Sequence, residues 1–339
     1  MPSSRLPSGL CALVGFFCQH AVAQPVTGFY KGKTIEIIVG FPPGAYNDVY
    51  SRLLASYLGR YIPGNPSIVT RNMPGAGSFV AVNHIQGTAP RDGTTIGLAS
   101  PTIPLDEVLG TDGVRFRTRE LGWIGRMNSN INVLTTWRTS GVKTIEQARE
   151  REVTLSGTGV GSTSYIYPIV MNKVIGTKFK LILGYKGSNE GMLAMERGES
   201  EGHSTSWTTF FGTHPGWYAD GSVNMLTQFA LSRKPVLKNV PTAMEFAETE
   251  EQKSILRAML LATEIGYAFF TSPNVPADRL ATLREAFQRV VADPEFLNEA
   301  ARANAEIDFK NGESLQQQVV NLGDTEPAMV AKIKSALTP

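Results

Sequence analysis

The chain is poor in the groups on which most protein chemistry depends. It has two cysteines, Cys11 and Cys18, and four histidines among 339 residues. Both cysteines fall in a leading segment read below as removed on export, so disulfides, thiolate nucleophiles and cysteine metal sites are excluded from what remains. Charged residues make up 18% of the chain and nearly cancel at a net +2, which leaves neither the basic footprint of a nucleic-acid binder nor a polybasic membrane patch. Beyond residue 23 no apolar run approaches the roughly 20 residues of a membrane span. There is no H-E-x-x-H zinc motif and no G-x-S-x-G nucleophile elbow. The 33 glycines and 20 prolines follow no G-X-Y period and form no low-complexity tract.

What is present begins with an address. Residues 1–23 carry a lone cation at Arg5, an apolar stretch from Leu10 to Phe17 and the ending Ala21-Val22-Ala23. That pattern predicts a secretory signal peptide cleaved before Gln24, and hence an exported, periplasmic chain.

Next comes a short β-branched run, Ile35–Val39, which reads as a buried strand. It ends in Gly40-Phe41-Pro42-Pro43-Gly44-Ala45, where Asn47 and Asp48 offer cap oxygens for a helix. Tyr50, Leu53, Leu54, Tyr57, Leu58 and Tyr61 then recur at helical spacing up to Pro63-Gly64. The grammar returns at Val153–Ser156, followed by Gly157-Thr158-Gly159-Val160-Gly161, a cap from Ser162 or Thr163, and a helix through Ile166, Ile169, Val170 and Val174. With a strand at Phe179–Leu183 this second copy is a βαβ unit with parallel strands. Further strands are predicted at Ser67–Arg71, Thr95–Ala99 and Val223–Phe229. Helices are predicted at Thr144–Glu150, Glu190–Arg197, Met244–Ala247, Glu251–Leu261, Ala277–Ala292 and Pro294–Asn304. The fold class is α/β with mainly parallel sheets and flanking helices.

Two Gly-rich strand-to-helix turns suggest one per domain. Each offers backbone N–H groups at a helix N-terminus, where the helix dipole adds about half a positive charge, so facing loops would form a pincer for a carboxylate or phosphate. Other glycine patterns carry less. Gly32-Lys33-Thr34 lacks the leading glycine of a phosphate-binding loop and precedes a strand, and the spacing Gly157-x-Gly159-x-Gly161 is not that of a dinucleotide fingerprint. His84, His203 and His214 have no i, i+4 pairing for a metal, so neither metal nor cofactor is expected.

The order and spacing of further segments resemble a known family. They are Ile35–Asp48, Arg71–Ser78, Ala89–Thr94, Ser156–Ser162, Tyr185-Lys186-Gly187, Met195–Glu199 and Val240-Pro241-Thr242 with Glu245. Together they are similar to the Bug family, the periplasmic solute-binding proteins of tripartite tricarboxylate transporters. The resemblance implies a two-lobed binding-protein fold with the ligand cleft between the lobes. One lobe would comprise 24–127 and 230–339, the other 128–229. It further implies a small carboxylate ligand, delivery to a membrane permease of one large and one small subunit, and no enzymatic activity.

Carried onto this chain, the resemblance places ligand contacts at Phe41, Pro43, Gly44, Ala45, Tyr46, Asn47 and Asp48 in the first loop. In the second, which runs on to Ser164, they fall at Ser156, Thr158, Gly159, Val160, Gly161, Ser162 and Thr163. His203, Ser204 and Trp207 form a third region, and Asn72 and Ser100 border the pocket. Relatives carry a run of glycines where this chain has Gly44-Ala45-Tyr46, so Tyr46 is expected to narrow the pocket or supply a phenol. Asp48 reads as a helix cap, because a carboxylate repels an anion. His203 and Trp207 either meet the ligand or pack in a strand, Phe210-Phe211 reads as core, and Lys186 as a solvated surface cation.

Two other functions fit the same chain. The receptor would serve as a sensor docking on a histidine-kinase ectodomain. Alternatively the chain would be a secreted hydrolase using His203 with Ser204 or Ser206, although neighbours on a strand point to opposite faces.

Overall fold

The computed structural model describes residues 26–159 and 162–337. Among the described residues eleven strands are seen: β1 Thr34–Val39, β2 Ser67–Asn72, β3 Thr95–Leu98, β4 Gly122–Arg126, β5 Asn132–Trp137, β6 Val153–Gly157, β7 Phe179–Leu183, β8 Gly202–Ser206, β9 Val223–Phe229, β10 Ala268–Thr271 and β11 Lys310–Asn311. They form two sheets, ordered β11-β4-β10-β3-β1-β2 and β7-β6-β8-β5-β9.

Both predicted strand–loop–helix units are present, and each supplies the parallel part of its sheet. β1 pairs in parallel with β2 and β3. β6 pairs in parallel with β7 and β8. The sheets are nonetheless mixed, because β10 and β4 in the first and β5 in the second join antiparallel. These are the strands that the chain enters or leaves as it crosses between the sheets.

The Tyr46–Tyr61 helix buries Tyr50, Leu53, Leu54, Tyr57 and Leu58, the stripe its spacing predicts. This stripe meets Ile35, Ile37 and Val39 of β1, together with Phe287, Val290 and Phe296 of the Ala277–Val291 and Pro294–Arg302 helices. The opposite face of that sheet packs Ile38 against Val82, Ile85, Phe270, Leu315 and Val319. Each such large side chain removed from water contributes about 1.5–3 kcal/mol.

The second sheet is likewise covered on both faces. Leu134, Val153 and Leu155 meet Tyr167 and Val170 of the Thr163–Val170 helix. Val133 meets Met192 and Met195, with Trp207 and Phe210 in the same cluster. The Leu155 layer continues into Leu256 and Leu260 of the Glu250–Ile265 helix and Ile333 of the Pro327–Leu337 helix, and reaches Leu105. Late chain segments therefore cover the second sheet. Residues Met244–Ala247 fold as a single 3-10 turn, Ala243–Phe246, held by a capping box between Thr242 and Glu245.

Candidate functional site: two loops across one gap

Strand direction decides where the two loops lie. β4 runs parallel to β3 and β1, since β10 is antiparallel to both β3 and β4. Residues 127–131 then carry the chain from the end of β4 to the start of β5. β5 is antiparallel to β8, which is parallel to β6. The C-terminal ends of β1 and β6, and the Gly-rich loops that follow them, therefore open onto the same gap between the sheets.

The crossing segments are bonded to each other. Met127 N–H donates to the Tyr267 carbonyl at 3.1 Å, Tyr267 N–H to Asn128 at 2.9 Å and Asn130 N–H to Thr263 at 3.0 Å. Gly266, at φ +53°, lies so close to the Asn128 carbonyl that no Cβ would fit. Beside them the buried Arg126 donates to the Glu264 carboxylate at 3.2 Å and to Asp308 at 2.8 Å. Burial alone would raise the pKa of Glu264, but Lys234, Lys310 and Arg126 outweigh it and hold the carboxyl below its usual range. A cavity of about 450 Å³ opens here, bordered by Asn128, Ser129, Trp207, Lys234, Ile307 and Asp308 among others.

The first loop is shaped by a charged buckle. Asp48 Oδ2 accepts from Gly44 N–H at 3.0 Å and Arg52 Nε at 2.9 Å, while Oδ1 accepts from Asn72 Nδ2 at 2.9 Å. Asn72 Nδ2 also donates to the Phe41 carbonyl at 3.0 Å. Burial would raise the Asp48 pKa, yet the bonds from Arg52, Gly44 and Asn72 outweigh it and the carboxyl titrates below its ordinary value. The cap itself differs from the sequence expectation. Ala45 is the N-cap and its methyl can make no capping bond, while Asp48 sits inside the first turn and its carboxylate reaches back to Gly44 N–H. The N–H groups of Tyr46 and Asn47 have no acceptor among the described residues. Phe41, Ala45, Tyr46 and Asn47 are half-buried, and Pro43 and Gly44 are exposed. Ser100 stands beside this loop, its N–H donating to Ser78 Oγ, which in turn donates to the Gly40 carbonyl.

The second loop is buckled by hydroxyls. Ser164 Oγ accepts from Thr158 N–H at 3.0 Å and lies 3.1 Å from Thr158 Oγ1 and 2.9 Å from Ser162 Oγ. Ser162 occupies the N-cap position, but its hydroxyl donates backwards to the Gly159 carbonyl at 2.7 Å and does not cap the helix. Thr158, Gly159, Ser162 and Thr163 are half-buried. Val160 and Gly161 lie outside the described residues. Ser164, where the second loop was expected to end, thus gathers the loop from behind and closes the hydroxyl run Ser162-Thr163-Ser164 at the helix start.

Three expected contact residues lie below the surface. Ser156, His203 and Ser204 have no exposure at all. His203 Nδ1 sits 2.9 Å from both the hydroxyl and the carbonyl of Ser156, and a Cβ on Gly191 would fall 2.5 Å from its Cε1. Burial pushes its pKa down to about 4 against the opposing Ser156 carbonyl, so the imidazole is neutral at neutral pH. The strand places His203 in packing, away from solvent, and Ser204 on the other face. The hydrolase pairing is corrected likewise: His203 bonds Ser156, while Ser206 Oγ accepts from Thr209 N–H and donates to its hydroxyl. Trp207 is nearly buried but borders the cavity beside the crossing segments. Phe210 is core as expected, whereas Phe211 is 42% exposed and stacks on Trp207 because its helix turns it outward. Among the described residues no cluster of His, Cys, Asp and Glu could hold a metal ion, and no helix is long and apolar enough to cross a membrane.

Comparison with known proteins bears on this arrangement. Residues 52–335 match the family model of the tripartite tricarboxylate transporter family receptor. The chain is 23% identical over 321 residues to the "UPF0065 protein in gbd 5'region" of Cupriavidus necator, covering 92% of this chain and 90% of that protein. Among solved structures it is similar to a TctC solute binding protein from Polaromonas, with TM-score 0.69, 18% identity and coverage of 90% and 99% of the two chains. It is similar also to the periplasmic binding protein BugD, with TM-score 0.62, 19% identity and coverage of 91% and 98%. Two structures from Rhodopseudomonas palustris share the fold at TM-scores of 0.62 and 0.59, Rpa4515 with adipate and MatC with bound malate.

Proposed function

The chain belongs to the tripartite tricarboxylate transporter receptor family, and from that premise we propose that it is a periplasmic receptor holding a small carboxylate between its two Gly-rich loops. The observation that carries the reading is the shared gap: two helix starts, each with its loop buckled from behind, open onto it from opposite sheets. N–H groups aimed at an anion in a dry cleft form short charge-assisted bonds, and no lysine or arginine is needed there. Adipate on Rpa4515 and malate on MatC support this class of ligand.

In this reading the contacts are Phe41, Pro43, Gly44, Ala45, Tyr46 and Asn47 from one side and Thr158, Gly159, Val160, Gly161, Ser162 and Thr163 from the other. Asp48, Asn72, Ser156 and His203 support them from behind. The moving bodies are the first sheet with its helices and the second sheet with its own, among them the Glu250–Ile265 and Pro327–Leu337 helices that the expected division at 230 assigned to the first. They are hinged at the paired crossings near 127–130 and 263–267, and the loaded receptor is presented to a two-subunit membrane permease. Closure supplies affinity only through contacts absent from the open form. Small-angle scattering of the exported chain tests this: a bound acid should shrink the radius of gyration. An unchanged radius with an acid that demonstrably binds would remove the hinge from the account.

A further inference from the structure

The first loop reaches across the gap with one side chain. Tyr46 opens the Tyr46–Tyr61 helix, and its phenol abuts Gly212 in the Trp207–Thr213 helix of the opposite lobe. A Cβ on Gly212 would fall 2.5 Å from the Tyr46 hydroxyl oxygen and 3.6 Å from its Cζ, and would meet no other described atom within 4 Å. One turn earlier on the same helix, Thr208 lies close enough to the Tyr267 phenol to oppose the upward push of burial on its pKa, and the Tyr267 ring lies 4.3 Å from that of Tyr50. Thr208 and Gly212 stand four residues apart and so share one helix face, which is turned toward tyrosines of the first lobe.

From this contact we propose that Tyr46 determines specificity by size: its ring, seated against Gly212, occupies the part of the gap where the body of a longer acid would lie. The receptor therefore selects short carboxylates over long or aromatic ones. The inference rests on the carboxylate-receptor reading and deepens it. Gly212 acts as a positioning residue, since its missing side chain is what lets the phenol seat. A methyl there meets only the far end of a side chain that can swing, so the fold tolerates it.

The test is calorimetric titration of the exported chain with malonate, succinate, glutarate, adipate and benzoate. Four proteins are compared: wild type, Tyr46→Ala, Gly212→Ala and the double variant. Wild type should bind the short acids best. Tyr46→Ala should gain on adipate and benzoate relative to malonate by about tenfold or more, the scale of one or two methylenes in a fitted pocket. Gly212→Ala should move the preference too, by displacing the phenol, and the double variant should match Tyr46→Ala because both changes act on one ring. Unchanged relative affinities in Tyr46→Ala and Gly212→Ala, in proteins that still bind acids, would overturn the size inference alone. A wild type that binds none of the acids, while folded, would overturn the carboxylate reading and this inference with it.

Discussion

The two loops do the same geometric task with different chemistry. The first is tied by an ionised carboxylate that gathers Gly44, Arg52 and Asn72. The second is tied by neutral hydroxyls around Ser164 and rests on a buried neutral imidazole, His203, bonded to Ser156. Charge makes the first buckle strong but dependent on its whole set of partners, because a buried carboxylate without them is costly. Hydroxyls make the second buckle weaker per bond and easier to rearrange. The lesson is that helix starts can be exposed to an anion either way, and that acid and mutation should separate the two.

The largest expected effect is at Asp48. Asp48→Ala removes three bonds to an ionised acceptor, frees Gly44 N–H to water and leaves Asn72 Nδ2 with the Phe41 carbonyl alone, so urea unfolding should show a loss of about 3 kcal/mol. Carboxylate affinity should fall with it. Asp48→Asn keeps the shape, loses the charge, and should lie between the two.

Acid should weaken the second loop's support first. His203 has a folded pKa of about 4, well below its ordinary 6.5. Between those values the unfolded chain binds more protons, so stability falls as pH drops from about 6.5 towards 4 and levels off below that. At pH 5 the loss relative to neutral pH should be about 2 kcal/mol from this group. In His203→Gln that part of the pH slope should vanish, as urea unfolding at several pH values would reveal. Asp48, held below its ordinary value, contributes stability that persists above the unfolded carboxyl pKa and is lost only as pH falls through the folded one. A stability that is flat from pH 7 to 5 in wild type would erase the contrast.

The smallest effect is at Ser164. Ser164→Ala should cost about 1 kcal/mol of stability. Its loss of acid affinity should exceed what that figure implies, because Thr158 and Ser162 lose their common partner.

Much of this was legible in the sequence, for identifiable reasons. β1 and β6 are β-branched runs stopped by Gly-rich turns, and the helix after β1 carries a complete apolar stripe, so local signals agree with the tertiary outcome. β4 escaped notice because Gly122 and Gly125 look like turn residues. In the fold Gly125 lets a helix approach: a Cβ there would sit 2.6 Å from the Phe287 ring. β10 has only four residues, and its partners β3 and β4 lie far away in the chain. At the site, the tendency of Asp48 to bind backbone N–H was readable, but its bond to Asn72 depends on β2 lying beside β1. For His203 the sequence left ligand contact and packing equally open, since a polar residue on a short strand gives no sign of the Ser188–Glu196 helix, whose Gly191 lies against the imidazole and covers it.

The central claim is that an anion is held between the two loops, and thermal unfolding of the exported chain with matched acids and amides tests it most directly. At a hundred times its Kd a ligand adds about 2.7 kcal/mol, which raises Tm by a few degrees. The account predicts a rise with a small carboxylate, none with the corresponding amide, and a loss of the rise in Asp48→Ala and Ser164→Ala alike. Equal rises with acid and amide, or a rise that survives both substitutions, would contradict it.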